Sequence, residues 1–443
     1  MEAKTNGTNP HLTIGVNDHI PTGQAILLGL QHVLAMDVYV VPFIIAAAVS
    51  MSPGEASGLI QSTFLGAGIA SLIQVLFFLK LPVCQGPSFV PVGAIIGIYL
   101  GGNGMSTVLG SSLVGALAIT ILGYTGIYKQ IVRHFIPTIV SGTIIMIVGL
   151  TLLPSAFNGN IFIETATLSM NQNILLAVIT AVILILFSML GVYFPRLGKI
   201  FRISSVIIAL IIGSIVASFM GGMDFTSVSE ASFFSLPNFA FIDYGFDFDL
   251  SAIATMIVIY MVLLAETTGT WYAVSSVTGE EITDEQINQG VIGEGFGCLI
   301  ASLVGTTPVT GYSTNAGIIS ITGVASKVVF VAASVWFIVL SFLGKLSALI
   351  NAVPAAVIGG VFVVVCVIIM LSGFRVIKNE EFSERELYII GVPLIIAIGL
   401  LFMPAELKGT APQFIQYLLD SPIAVSALAA VAMNKLIPVP KNS

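Results

Sequence analysis

"TGYSTNAGIISITG", residues 310–323, sets Thr310, Gly311, Tyr312, Ser313, Thr314 and Asn315 in succession and then returns to Ile318, Ile319 and Ile321. The surrounding chain is strongly apolar: 56% of its 443 residues are hydrophobic and 8% are charged, against about 25% charged in an ordinary soluble protein. Backbone at membrane depth must be paired or line a cavity, because hydrocarbon offers it no hydrogen-bond partner. The stretch therefore reads as a break inside a membrane span. An extended part covers 307–313, and a half-helix starts near Ser313–Asn315.

Apolar runs of bilayer length recur almost from end to end, separated by short Gly, Pro or charged breaks. Fourteen candidate spans result, the first over 22–49, the third over 84–100 and the tenth over 311–322. Basic residues test the count. With the N-terminus inside, Lys4, Lys80, Lys129, Arg133, Arg196, Lys199, Arg202, Lys327, Arg375, Lys378, Arg385, Lys435 and Lys441 fall in inner loops, and only Lys345 and Lys408 fall outside. These thirteen and two account for all 15 Lys and Arg, as the positive-inside rule requires. The polar segment 1–20 lacks the basic-then-apolar pattern of a cleaved leader and reads as a cytoplasmic tail; the C-terminus falls on the same side. Cys84, Cys298 and Cys366 stand alone in apolar runs, which suggests neither a disulfide framework nor a metal site.

The third span, "LPVCQGPSFVPVGAIIGIYLGG" (81–102), is broken in the same way as the tenth: Pro82, Gly86, Pro87, Ser88 and Pro91 precede its helical part. Two Gly/Pro-interrupted segments seven spans apart point to a transporter built from internal repeats. An odd number of spans per repeat makes the second half inverted relative to the first. The expected fold is thus an all-α polytopic membrane protein of 14 transmembrane segments, arranged as two inverted seven-span repeats. Spans 3 and 10 each contain a short β-strand and a half-helix, the third-span half-helix starting near Ser88–Val90. The two strands, around 84–88 and 307–313, are expected to pair at mid-membrane.

Three polar clusters lie inside apolar spans. Glu266 sits in "MVLLAETTGTWYAV" (261–274), where a carboxylate costs about 2.5–3.5 kcal/mol or more unless it faces a cavity or a partner. Gln31 and His32 occupy the corresponding depth of the first span; the imidazole can orient a ligand or exchange a proton. Asp37, five residues on, is a further acid whose face cannot be assigned from spacing. Glu294 lies among Gly293, Gly295 and Gly297, which allow close helix approach, and reads either as a structural network member or as part of a coupling path. The half-helix ends present free N–H groups and a positive dipole end. Thr314 and Asn315 add donors and acceptors, Gly317 removes bulk, and Tyr312 and Phe89 can stack on a ring. This set matches a flat heterocycle with alternating N–H and C=O edges. An inorganic anion would be repelled by Glu266.

"GLQH" in the first span, "AETTG" in the eighth and "STNAGIISITGVASK" in the tenth resemble the nucleobase–ascorbate transporter family, the uracil/xanthine permeases. The resemblance covers nearly the whole chain. It implies a core domain of spans 1–4 and 8–11 (21–128 and 250–345) and a gate domain of spans 5–7 and 12–14 (129–249 and 346–443). It also implies a homodimer in the cell (inner) membrane that imports a nucleobase with a coupling cation, H⁺ or Na⁺, with no cofactor, metal or nucleic acid partner and no enzymatic activity. By position, Glu266 is the substrate-binding acid, His32 the first-span histidine, Asn315 the motif asparagine and Glu294 the ninth-span acid. Phe89 and Ser88 lie at the third-span break, and Ser313 at the tenth. Thr314 departs from the family pattern, in which Gln or Glu stands at this position; Thr is shorter and supplies no second carboxylate. The downstream "TGVASK" is more like the xanthine/urate branch than the uracil branch, so an oxidised purine is the expected substrate and uracil the alternative. A sulfate- or bicarbonate-type anion transporter of the related seven-plus-seven layout is the other alternative. It is disfavoured because no Lys or Arg lies in the mid-membrane clusters.

Overall fold

The computed structural model describes residues 12–194, 198–378 and 382–438. Lys4, Arg196 and Lys441, which the charge count used, and the tail before residue 12 lie outside them. The described chain is predominantly helical. Seven of its helices are long and apolar enough to cross a bilayer, and nine if each of two sharply bent helix pairs is a single span. The protein is a multi-pass membrane protein.

The elements that position the site are α1 (Thr22–Ala35), α2 (Val40–Ala48), α3 (Pro53–Leu76), β1 (Gln85–Pro87), α4 (Val92–Ile98), α5 (Gly104–Thr125), α6 (Thr138–Thr151), α7 (Met170–Tyr193), α8 (Gly198–Phe219), α9 (Leu250–Thr278), α10 (Asp284–Leu303), β2 (Val309–Gly311), α11 (Thr314–Thr322), α12 (Lys327–Ser341) and α13 (Ala355–Ile377). α3 packs against α10 and α12, α5 against α9 and α10, and α1 against α12. α13 packs against α6 and α7, and α7 against α8. Small residues let several of these pairs approach closely, as in membrane bundles generally. A Cβ at Gly149 would stand 2.4 Å from the Cys366 carbonyl oxygen, and one at Gly373 would stand 2.5 Å from that of Gly142, so α6 and α13 meet backbone to backbone.

The two expected extended segments do pair. β1 and β2 are antiparallel, in the register Gln85↔Gly311, Gly86↔Thr310 and Pro87↔Val309. Tyr312 N–H to Cys84 O (3.1 Å) and Ser88 N–H to Pro308 O (2.8 Å) extend the ribbon at either end. All six paired residues are buried, so this is satisfied backbone inside the membrane domain. α11 starts at Thr314, within the expected range. The third-span half-helix differs: α4 starts at Val92, beyond Ser88–Val90. Pro91 has no N–H and a fixed φ, which suits it to the entry of a helix and not to its interior; Ser88 Oγ instead takes the Val90 N–H.

Two features depart from the expected layout. The first span is itself interrupted over Met36–Tyr39, between α1 and α2. Pro42 explains the position: inside a continuous helix its ring would clash with the carbonyl of Val38, whereas in the first turn of α2 its missing N–H costs nothing. The segment read as a polar tail is also partly built into the fold. Thr13 and Ile14 donate to Gly323 O, Ala325 to Ile14 O and Lys327 to Val16 O. Leu12, Ile14 and Val16 alternate with Thr13 and Gly15, the period of a strand, and this segment runs beside the end of α11.

Candidate functional site

The three interruptions meet at one cavity. Its volume is about 110 Å³, and Asp37, Phe89, Glu266, Tyr312, Ser313 and Thr314 bring polar or aromatic groups to it. Ile145 of α6, Val206 of α8 and Val365, Ile368 and Ile369 of α13 supply the aliphatic part of its lining.

Glu266 is partly buried on α9, and its Oε2 accepts a hydrogen bond from Ser88 Oγ at 2.8 Å. The break of the third span therefore aims the carboxylate of the eighth. α9 is fixed to the ribbon one residue further on, where Gly311 N–H donates to Thr267 Oγ1 at 3.1 Å. Gly311 suits this approach, since a Cβ there would be in tight contact with Thr267 Oγ1 and Val83 Cγ1, each at 3.1 Å. On its other side α9 is held by Tyr128, whose hydroxyl donates to Leu264 O at 2.8 Å and lies 2.9 Å from Thr268 Oγ1.

The start of α11 supplies the neutral donors. Asn315 and Ala316 N–H close turns on the carbonyls of Tyr312 and Ser313. The amides of Ser313 and Thr314 have no acceptor among the described residues, and neither has the Phe89 amide across the ribbon. Free amides at a helix start form a natural cradle for carbonyl oxygens. Thr314 is exposed at the cavity, while Asn315 is fully buried, its Nδ2 donating to Tyr312 O (2.9 Å) and Cys84 O (3.2 Å). Asn315 therefore ties the half-helix to the ribbon. Tyr312 lays its ring over Gly86 and donates to Pro87 O at 3.1 Å, and Phe89 stacks on Phe362 of α13 with ring centroids 6.1 Å apart. Both aromatics border the cavity from packed positions.

The remaining candidates lie behind this layer. His32 is buried, its ring 4.4 Å from that of Phe330, beside Asn315 and away from the cavity lining. Gln31, its neighbour on α1, is partly exposed and outside the cavity. Glu294 is buried on α10, with Oε2 accepting from Gln74 Nε2 at 2.9 Å; the same Nε2 donates to Gly290 O at 2.8 Å. Gly293 makes room for Gln74, whose Oε1 would be 2.4 Å from a Cβ there. Glu294 thus belongs to an α3–α10 network behind the site. Gly317 faces open space, with nothing within 4 Å of where a Cβ would stand.

Spacing alone did not place Asp37, Thr270 or Thr310 in the cavity, nor the aliphatic wall. Asp37 carried a detectable signal, since an acid inside an apolar span needs a reason; the break at Met36–Tyr39 that turns it inward was hidden in a continuous apolar run.

A buried ribbon flanked by two half-helices, beside a cavity with carboxylates and no cationic side chain, defines a multi-pass membrane protein of transporter architecture. The transmembrane domain of the cyanobacterial bicarbonate transporter BicA has the same fold, with a TM-score of 0.59 at 17% identity over 96% of this chain and 100% of that one. Residues 23–406 match the xanthine/uracil permease family, described as "Permease family", and the chain belongs to that family, the nucleobase–ascorbate transporters. A putative purine permease of Clostridium perfringens is 30% identical over 441 residues, covering 97% of this chain and 94% of its own. The uric acid permease PucK of Bacillus subtilis is 30% identical over 426 residues, covering 93% and 95%.

Proposed function

We propose that the protein is a secondary active transporter that imports an oxidised purine of the xanthine or urate type across the cell membrane with a coupling cation, the proton in our reading. The single observation that carries this is the cavity itself. Glu266, aimed by Ser88, accepts N–H groups, and the free amides of Ser313, Thr314 and Phe89 meet carbonyl oxygens. That is the complement of a cyclic urea or imide edge. The names of its relatives, a purine permease and a uric acid permease, agree with this chemistry. A small inorganic anion such as sulfate or bicarbonate is disfavoured because the described cavity lining includes Asp37 and Glu266 and no Lys, Arg or His.

In this reading the chain has fourteen spans in two inverted repeats, both termini in the cytoplasm, and forms a homodimer. Spans 1–4 and 8–11 carry the site, and spans 5–7 and 12–14 are the gate. The close pairing of α3, α10 and α12 on one side, and of α6, α7 and α13 on the other, supports that division. The aliphatic wall of α6, α8 and α13 is then a greasy seal against which the substrate-laden core moves, exposing the cavity inside. Glu266, Glu294 and His32 are the candidates to take the coupling proton.

The test is uptake into proteoliposomes. Radiolabelled xanthine or urate should accumulate unchanged when the outside is made acidic, collapse with a protonophore, and ignore an imposed Na⁺ gradient. Accumulation driven only by Na⁺ would replace the proton. Conversion of the label to a new species, or no uptake of any nucleobase, would refute transport of this class.

A further inference from the structure

Asp37 is a cavity-lining acid with one carboxylate oxygen that no group of the described residues satisfies. It is buried, 8% exposed, and its Oδ2 has no hydrogen-bond partner. It stands two residues before Tyr39, the N-cap of α2, yet its side chain does not cap that helix. No Lys or Arg side chain pairs with it among the described residues. The surrounding wall is aliphatic: Ile145, Val365, Ile368 and Ile369 share the cavity. A carboxylate held in such a place, with no cation beside it and one oxygen left without a donor, is organised to receive a donor from outside. Glu266 differs, because Ser88 already occupies one of its oxygens. The two acids come from different elements, the first-span break and α9, and Tyr312 is within electrostatic reach of both.

We propose that Asp37 is a second, specificity-determining anchor for the ligand, accepting an N–H group on an edge other than the one held by Glu266. This inference rests on the nucleobase reading above and narrows it. A ligand with N–H donors on two separate edges suits the pair, with its carbonyl oxygens left to the free amides at Ser313 and Thr314. A bicyclic oxopurine has such edges, one on the six-membered ring and one on the imidazole ring. A pyrimidine such as uracil also has two N–H groups, at N1 and N3, but both are on its single ring. Neither reaches as far as an imidazole N–H, so the spacing of the two acids is what selects the bicyclic ligand. Asp37 thereby supplies the second carboxylate that Thr314 does not, from the break in the first span.

The experiment is calorimetric binding of xanthine and of its 1-, 3-, 7- and 9-methyl derivatives to purified wild-type, Asp37→Asn and Glu266→Gln protein. In the wild type, one methyl position on the imidazole edge should cost about 10- to 100-fold in affinity, the range of one charge-assisted hydrogen bond. In Asp37→Asn, xanthine itself should weaken by that factor, and the same methyl group should cost nothing further. Sensitivity to a methyl group on the edge held by Glu266 should persist in Asp37→Asn. Asp37→Ser provides the same comparison should the Asn variant not purify as a monodisperse protein. An unchanged methyl profile in both variants, or equal weakening of all five ligands, overturns the anchor. Unchanged binding with loss of proton-driven uptake also overturns it, by assigning Asp37 to coupling. A wild-type protein that binds no nucleobase refutes this inference together with the proposed function, whereas wild-type binding with an indifferent Asp37 refutes this inference alone.

Discussion

Replacing Glu266 with Gln should lower nucleobase affinity by at least about 100-fold while leaving the purified protein folded. The substitution keeps the shape of the side chain and changes only its hydrogen-bonding character. The carboxylate accepts from Ser88 Oγ at 2.8 Å and has its other oxygen available to the ligand. An amide has one acceptor and one donor, so it must either turn its NH₂ toward Ser88 or toward the ligand's own N–H. A hydrogen bond to a charged group is worth about 1.5–3 kcal/mol, and an unsatisfied or opposed donor adds a penalty of similar size. Together these give the two decades expected. Stability should change little, because removing a charge from an apolar setting offsets the loss of one hydrogen bond. Equilibrium binding and a detergent melting curve, measured on the same preparation, separate the two effects. Affinity within about threefold of the wild type would remove Glu266 from the site.

The second large effect is steric. Gly86→Ala should destabilise the protein by about 1–3 kcal/mol, the usual cost of overpacking, and should weaken binding at least about tenfold. A Cβ at Gly86 would stand 2.5 Å from Tyr312 Cε2, and its three nearest contacts are all atoms of that ring. Tyr312 cannot simply swing away, since it is buried and its hydroxyl is fixed on Pro87 O. Either the ring or the ribbon must move, and both border the cavity. The signature is in the double variant: Gly86→Ala with Tyr312→Ala should be more stable than the sum of the two single changes predicts, because contacting residues are not additive. Strict additivity would show that the ring is not what Gly86 accommodates.

Much of this arrangement was legible in the sequence, and for identifiable reasons. Apolar runs and loop charges depend on composition alone, so the membrane class needed no tertiary information. The pairing of 84–88 with 308–312 was legible because unpaired backbone is intolerable in hydrocarbon, and the two Gly/Pro-rich breaks had only each other to pair with. Glu266 was legible as a carboxylate without local compensation. The start of α4 was missed by two residues because Pro91 sets the entry of the helix more strictly than the preceding Ser88. The break at Met36–Tyr39 was missed because its cause, Pro42, sits inside an unbroken apolar run where hydropathy has no contrast. With the break went the orientation of Asp37. His32 packs on Phe330 beside Asn315, outside the cavity lining, and which side of α1 it takes is set by helix packing that position along one span does not reveal. The aliphatic wall could not be read from one chain segment at all, since Val206, Ile145 and Ile368 become neighbours only through helix packing.

If the nucleobase sits in the cavity at the start of α11, it should protect an introduced thiol at position 314. Thr314 is exposed at the cavity, whereas Cys84, Cys298 and Cys366 are buried, so Thr314→Cys gives a single accessible thiol. A small alkylating reagent should modify it rapidly in the unliganded protein. Xanthine or urate should slow that reaction at least about tenfold, with a half-effect concentration equal to the dissociation constant measured calorimetrically on the same variant. An alkylation rate that stays constant at ligand concentrations that saturate binding would place the nucleobase elsewhere in the molecule.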